Sequence, residues 1–159
     1  MELFLNEDEI IVSKTDLKGN ITYGNQIFIK LSGYSELELL GKPHNLIRHQ
    51  DMPKCVFKLL WQRIQSGEEI FAYVVNKAKN GDFYWVFANV TPSYDQNSKI
   101  IGYHSVRRKP KAEAIKVIQG LYATLLNAER SGGMGASLKI LEDTLAQKGV
   151  SYDQFILSF

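Results

Sequence analysis

The pair Asn80-Gly81 is the feature that most constrains how this chain can fold. It separates two strand-like runs, residues 70–77 and residues 82–91, and the second run (DFYWVFANVT) is rich in aromatic and β-branched side chains. Asn-Gly adopts the positive φ angles that two-residue hairpin turns require, and such side chains favour strands. The sequence therefore predicts an antiparallel hairpin at this place.

Three further segments complete a predicted sheet. Residues 9–17 and 20–23 form two β-rich runs joined by turn-forming residues, and residues 100–108 form a last strand. The stretch between residues 25 and 67 has helical rather than strand-like spacing. Runs of strands interrupted by a helical insert indicate an α+β fold. We expect a five-stranded antiparallel sheet with short helices inserted between strands 2 and 3.

The helical insert contains recognisable helix starts. Asn25 is a candidate N-cap, and Ser35 with Glu38 fits a capping box. Asp51 is a candidate N-cap for the longest helix of the insert, with Pro53 in its first turn. These signals predict at least three short helices before the second half of the sheet.

The last 50 residues differ in character from the rest. Residues 111–130 have an amphipathic helical pattern, the glycine-rich stretch 131–135 interrupts it, and residues 137–148 form a second amphipathic pattern. We therefore divide the chain into a first domain, residues 1–109, and a C-terminal helical extension, residues 110–159. The apolar stripes of the extension can dock on a partner protein, on a second copy of the chain, or on the sheet itself.

Composition excludes several classes of protein. The net charge is +2, from 19 basic and 17 acidic residues, and nucleic-acid binding needs a concentrated basic surface. We interpret the short cluster Arg107-Arg108-Lys109 as a solvated strand end. No apolar run approaches the roughly 20 residues needed to cross a bilayer, and the acidic N-terminus is unlike a signal peptide. We expect a cytoplasmic protein that does not insert into a membrane.

Catalytic and metal sites find no support in the sequence. The only cysteine, Cys55, cannot form an internal disulfide and is interpreted as a structural thiol in a reducing compartment. The histidines His44, His49 and His104 are not spaced as zinc ligands, and no nucleophile–base or paired-acid arrangement stands out. The protein is therefore expected not to be an enzyme.

Several motifs resemble a known family. LSGY at residues 31–34, ELLG at 38–41 and KNGD at 79–82 resemble PAS domains. The loop GKPHNLIRHQDMP at residues 41–53 is similar to that of Aer-type aerotaxis receptors, except at Gln50, where the family usually has proline. The likeness extends from about Val12 to Arg130.

The resemblance implies a cofactor and a partner. Aer-type PAS domains bind FAD and sense redox or energy state. The present chain resembles in particular the stand-alone PAS subunits of bipartite energy-taxis systems (CetB-like), in which a separate membrane chemoreceptor carries the output. The resemblance therefore implies a flavoprotein that acts in chemotactic signal transduction. Its receptor is expected to bring it to the membrane, and the protein is a possible homodimer.

The resemblance also implies a set of binding residues. An arginine can grip phosphate in a bidentate way, a histidine can donate to it, amides can pair with the flavin edge, and aromatic side chains can cover the ring. Tyr73, Phe83 and Phe87 are further aromatic candidates. The expected cofactor-binding residues are Asn25, Arg48, His49, Asp51, Trp61, Asn76, Trp85 and Asn89.

Two alternatives keep the fold and change the ligand. PAS domains can also hold haem b, and His49 is then the candidate axial ligand. The third possibility is an interaction module without a ligand, which Ile70 favours, because Aer-like domains have tryptophan at this position. The sequence does not distinguish FAD from FMN.

Overall fold

The computed structural model describes residues 1–159, which form one sheet of six strands with helices on both of its faces. Strands β4, β5, β6, β2 and β3 follow one another across the sheet, and all of these pairings are antiparallel. The predicted α+β class is confirmed. The strands are β1 (Glu2–Leu3), β2 (Ile11–Thr15), β3 (Ile21–Gly24), β4 (Ile70–Lys77), β5 (Phe83–Tyr94) and β6 (Ile100–Arg108).

The sixth strand, β1, was not expected from the sequence. It runs parallel to the start of β5, where it pairs with Phe83 and Tyr84. Strand β6 pairs with β5 only from Phe87 onward, so the backbone of the first β5 residues is free to bind another strand. The carbonyl of Met1 accepts from the N–H of Phe83 at 3.1 Å. A two-residue strand has no periodicity that a sequence pattern could show.

The hairpin at Asn80-Gly81 is confirmed, but its turn is wider than two residues. Strand pairing ends at Lys77 and Phe83, so five residues form the loop. Only Gly81 has a positive φ, of 94°. The side chain of Asn80 accepts from the N–H of Asp82 at 2.9 Å, which lets asparagine stabilise the turn without a left-handed backbone.

Five α-helices and one 3₁₀ turn surround the sheet. The Asn25 cap and the Ser35–Glu38 capping box are both confirmed. Gly33 ends the first helix with a φ of 74°, which favours glycine. No helix has the length and apolar composition that crossing a membrane would require. The helices are α1 (Gln26–Ser32), α2 (Glu36–Leu39), α3 (Lys54–Gln65), α4 (Ala112–Lys148) and α5 (Tyr152–Ile156), with the 3₁₀ turn at His44–Ile47.

The start of α3 corrects a prediction. Its N-cap position is Pro53 rather than Asp51, and no side chain of that segment caps it. Instead the carboxylate of Glu129, on α4, accepts from the backbone N–H groups of Lys54 at 2.9 Å and Cys55 at 3.1 Å. A distant acid therefore satisfies two of the free donors that every helix start exposes.

Alternation along β4 and β5 gives the sheet two different faces. The inner face carries Val74 and Asn76, which point towards α3. The outer face carries Tyr73, whose ring lies 4.9 Å from that of Phe87. Because successive strand residues point to opposite sides, every residue of these strands is assigned to one face or the other.

The C-terminal helices pack on the outer face and then turn towards α3. The hydroxyl of Tyr122 donates to the carbonyl of Tyr73 at 2.6 Å, and that of Tyr152 donates to the carbonyl of Phe71 at 2.9 Å. Helix α4 is broken at Gly133, where φ is 72° and ψ is −170°, as the glycine-rich stretch predicts. Of the three docking possibilities, the structure shows the extension folded back onto its own sheet.

Candidate functional site

A cavity of about 620 Å³ lies between the inner face of the sheet and the helical insert. Helix α3 forms one wall, the inner sides of β4, β5 and β6 form the other, and the 3₁₀ turn closes one end. Ligand pockets in proteins typically measure about 300–1,000 Å³. The cavity is therefore large enough for a small organic ligand.

Apolar and aromatic side chains make up the central walls. The ring of Trp61, on α3, lies edge-on to that of Tyr103, on β6, with their centroids 5.6 Å apart. Ile64, Val74 and Val90 belong to the same apolar surface. Such walls favour a flat apolar ring, because its burial releases ordered water and leaves no polar group without a hydrogen-bond partner.

Arg107 lies at the deep end of this cavity and is only 2% exposed. Its Nη2 donates to the Oγ of Ser13 at 2.6 Å, and its Nη1 donates to the Oδ1 of Asn76 at 3.4 Å. Its Nε has no hydrogen-bond partner. Burial lowers the pKa of the guanidinium to about 10. A buried cation without a carboxylate partner is costly and marks a place where a ligand can supply the missing acceptor.

The position of Arg107 contradicts the interpretation of Arg107-Arg108-Lys109 as a solvated strand end. Arg108 and Lys109 are exposed, but Arg107 faces inwards with Tyr103 and Ser105, two and four residues before it. Period-two alternation places Arg107 on the same side of β6 as Tyr103 and Ser105, but it does not show which side of the sheet the helices cover. A run of three adjacent basic residues gives no sign that one of them is buried.

His44 is a second polar residue that lines the cavity and that the sequence did not indicate as a ligand contact. Its ring stacks on that of Phe28 at 5.9 Å, and its Nε2 lies 3.0 Å from the Oγ of Ser13. Burial, and then the charge of Arg107, lower the pKa of His44 to about 3. The histidine is therefore neutral at physiological pH. Because Ser13 accepts from Arg107, its own proton is free to be donated to His44.

Three of the eight predicted residues line the cavity. Trp61 belongs to its central wall, and Asn76 is buried beside Arg107. Arg48 lies at the opening, with its guanidinium 4.1 Å from the ring centre of Phe57. Partial burial lowers the pKa of Arg48, and the nearby charge of Glu129 opposes that effect.

The structure corrects the expected place of two residues in the 41–53 loop. The backbone at Arg48 is extended, so the side chain of His49 points to the opposite side. The ring of His49 lies 5.6 Å from that of Phe83, and its Nδ1 accepts from the N–H of Asp51 at 3.0 Å. Asp51 is itself exposed. The haem alternative needs His49 in the cavity, and this placement argues against it.

Asn25, Trp85 and Asn89 also lie away from the cavity. Asn25 uses its amide inside the fold: the oxygen accepts from the N–H groups of Phe28 and Val12, and the nitrogen donates to a carbonyl. Trp85 and Asn89 are on the outer face of β5, because their neighbours in the strand face inwards. The ring of Trp85 lies 5.9 Å from that of Tyr122 on α4.

Cys55 and Ile70 are both buried in the core. Burial raises the pKa of the Cys55 thiol, which lies near Ser137 and Glu129, so the residue is not an activated nucleophile. Ile70 is paired with Val90 at the end of the apolar wall. No three His, Cys, Asp or Glu side chains are grouped closely enough to hold a metal ion.

The residues present fit a flavin. The apolar walls beside Trp61 suit its rings, Asn76 and the unpaired Nε of Arg107 suit its polar edge, and Arg48 suits a phosphate. No carboxylate lines the cavity. This arrangement of donors and cations around an apolar slot suits an aromatic ligand with an anionic tail.

Comparisons with known proteins identify the family of the chain. A family model described as PAS fold matches residues 21–107. The chain is 41% identical over 145 residues to the aerotaxis receptor of Escherichia coli (strain K12), an alignment that covers 91% of this chain and 27% of the receptor. It is 26% identical over 104 residues to the nitrogen fixation regulatory protein of Klebsiella pneumoniae, covering 65% of this chain and 21% of that protein.

A solved structure has the same fold. The light-state structure of the blue-light photoreceptor Aureochrome1 LOV matches with a TM-score of 0.63 at 20% identity, over 69% of this chain and 88% of that one. The chain spans about a quarter of the length of the aerotaxis receptor. The resemblance to an Aer-type PAS domain is confirmed by these matches. The family model covers more than half of the chain and the solved structure has the same fold, so the chain belongs to the PAS fold family.

Proposed function

We propose that this domain is a cytoplasmic redox or energy sensor, not an enzyme, which binds FAD and signals to a separate membrane chemoreceptor. One observation carries the proposal: an apolar cavity with five cations and no carboxylate among its lining residues. The 41% identity to an aerotaxis receptor over 91% of the chain supports a role in sensing for taxis.

Each part of the cavity has a role in this proposal. Trp61 and the inner face of the sheet would hold the flavin rings, and Arg107 with Asn76 would bind their polar edge. Arg48 at the opening would bind phosphate. A bound flavin supplies reversible uptake of electrons, which changes the charge and hydrogen bonding of its rings.

Strand β4 connects the cavity to the C-terminal helices. Asn76 lies on its inner side, and the carbonyls of Phe71 and Tyr73 accept from Tyr152 and Tyr122 on its outer side. A ligand shifts a conformational equilibrium only by its different interaction with the two states. Exchange of one hydrogen bond at Asn76 contributes about 1 kcal/mol, which is enough for a modest shift in helix docking.

An absorption spectrum of the purified protein tests the ligand. We expect a flavin band, and mass spectrometry of the released cofactor should identify FAD rather than FMN. A sharp Soret band would support haem instead. Colourless protein that does not take up FAD on reconstitution would support the module without a ligand and refute the sensor.

Limited proteolysis tests the signal. The helix break around Gly133 is exposed, so its rate of cleavage reports how firmly the C-terminal helices are docked. We expect different cleavage rates for oxidised and chemically reduced protein. Equal rates in both redox states would contradict signalling through these helices.

A further inference from the structure

Four basic side chains surround the opening of the cavity: Lys18 in the β2–β3 turn, Arg48 after the 3₁₀ turn, and Lys54 and Lys58 on α3. None of the four has a carboxylate within ion-pair distance. Like charges around one opening repel one another, so this rim is stabilised by an anion.

Five other basic residues of the chain form ion pairs with carboxylates. Lys79 contacts Glu38 at 2.6 Å, and Lys139 contacts Asp143 at 2.9 Å. The chain has 17 acidic residues, so a shortage of carboxylates does not explain an unpaired rim. The cations of the rim are available to a ligand.

Two of the lysines are brought together by a packing contact. A β-carbon placed on Gly19 would lie 3.1 Å from the ring of Trp61, so the indole rests on the β2–β3 turn. Lys18 precedes Gly19, and Lys58 precedes Trp61 by three residues on the same side of α3. The two lysines therefore flank this contact, one on each side of the opening.

The start of α3 does not compete for the anion. A free helix N-terminus can bind phosphate through its N–H groups. Here Glu129 occupies the N–H groups of Lys54 and Cys55, and it also accepts from the hydroxyl of Ser137 at 2.6 Å. An anion at the opening must therefore be held by side chains.

We infer that Lys18 and Lys58, together with Arg48, form a binding site for the diphosphate of a flavin dinucleotide. This inference rests on the proposed function and adds which flavins the protein prefers. The two lysines favour a ligand with a multiply charged tail over riboflavin, which has no phosphate. Residues of this rim determine specificity, whereas the deep end of the cavity binds the rings.

Titration of the apoprotein with FAD, FMN and riboflavin tests the inference, using flavin fluorescence as the readout. The variant is Lys18→Gln/Lys58→Gln, and the matched control is Lys77→Gln/Lys99→Gln, because both control residues are exposed and lie outside the cavity. We expect the double variant to bind FAD about tenfold more weakly, which corresponds to about 1.4 kcal/mol. Riboflavin affinity should change less than twofold, and FAD affinity should depend less on salt.

The outcomes distinguish a failure of the rim site from a failure of flavin binding. If FAD and riboflavin weaken equally, or if FAD affinity is unchanged, the rim inference is wrong while flavin binding stands. If the unmodified protein binds none of the three ligands, both the inference and the proposed function fail. A loss of FAD affinity in the Lys77/Lys99 control as large as in the variant would also overturn the inference, because a general charge effect would then explain it.

Discussion

Replacing Arg107 by methionine tests whether this residue binds a ligand or stabilises the fold. Arg107 is buried without a carboxylate partner, and the drop in its pKa from an ordinary 12.5 to about 10 corresponds to a cost of about 3 kcal/mol for the charged form. Methionine has a similar length and removes this cost. It also leaves Ser13 and Asn76 without their donor, which costs about 1–2 kcal/mol.

The two effects predict an apoprotein that is as stable as before or about 1–2 kcal/mol more stable. The same variant should lose most of its affinity for flavin. Urea unfolding with and without FAD measures both quantities. Arg108→Met, one residue further and exposed, is the control and should change either quantity by less than about 0.5 kcal/mol.

Two results would contradict a ligand-binding role for Arg107. If Arg107→Met destabilises the apoprotein by more than about 2 kcal/mol, the guanidinium holds the fold together and is not waiting for a ligand. Unchanged FAD affinity in a folded variant would equally contradict its role at the polar edge.

Three other perturbations test separate parts of the structure. His44 has a folded pKa of about 3 against an ordinary 6.5, so the unfolded state binds the extra proton and stability should fall by up to about 1.4 kcal/mol per pH unit below pH 6.5. His44→Gln should reduce this slope in urea unfolding at several pH values, with His104→Gln on the outer face as control. Glu129→Ala should cost about 1–2 kcal/mol by uncapping α3, measured by the same method, and no loss would refute the cap. Gly133→Ala should destabilise the folded protein by about 1–3 kcal/mol, because residue 133 has backbone angles that favour glycine. Gly135→Ala, in regular helix, should be neutral or stabilising in thermal unfolding. Equal effects of the two substitutions would contradict a break at residue 133.

Local features of the fold were predictable from the sequence. The Ser35–Glu38 capping box and the break near Gly133 depend on residues within a few positions of each other. The hairpin at Asn80-Gly81 was predictable for the same reason, although its turn is wider than expected. Local backbone preference decides such features, and tertiary packing does not overturn them here.

Features that depend on distant contacts were not predictable. The cap of α3 comes from Glu129, 75 residues beyond Lys54. The burial of Arg107 depends on which face of the sheet the helices cover, and the same choice moves Trp85 and Asn89 away from the cavity. From residue type alone, Arg107 was expected to be solvated, and Trp85 and Asn89 were expected to contact a ligand. Only the folded sheet shows which face each side chain occupies.

A crystal structure of the protein reconstituted with FAD tests the central claim most directly. The account predicts the flavin rings between Trp61 and the inner face of the sheet, with the polar edge within hydrogen-bond distance of Arg107 and Asn76. Flavin bound elsewhere, or a cavity still filled only by water with Arg107 unpaired at saturating FAD, would contradict it.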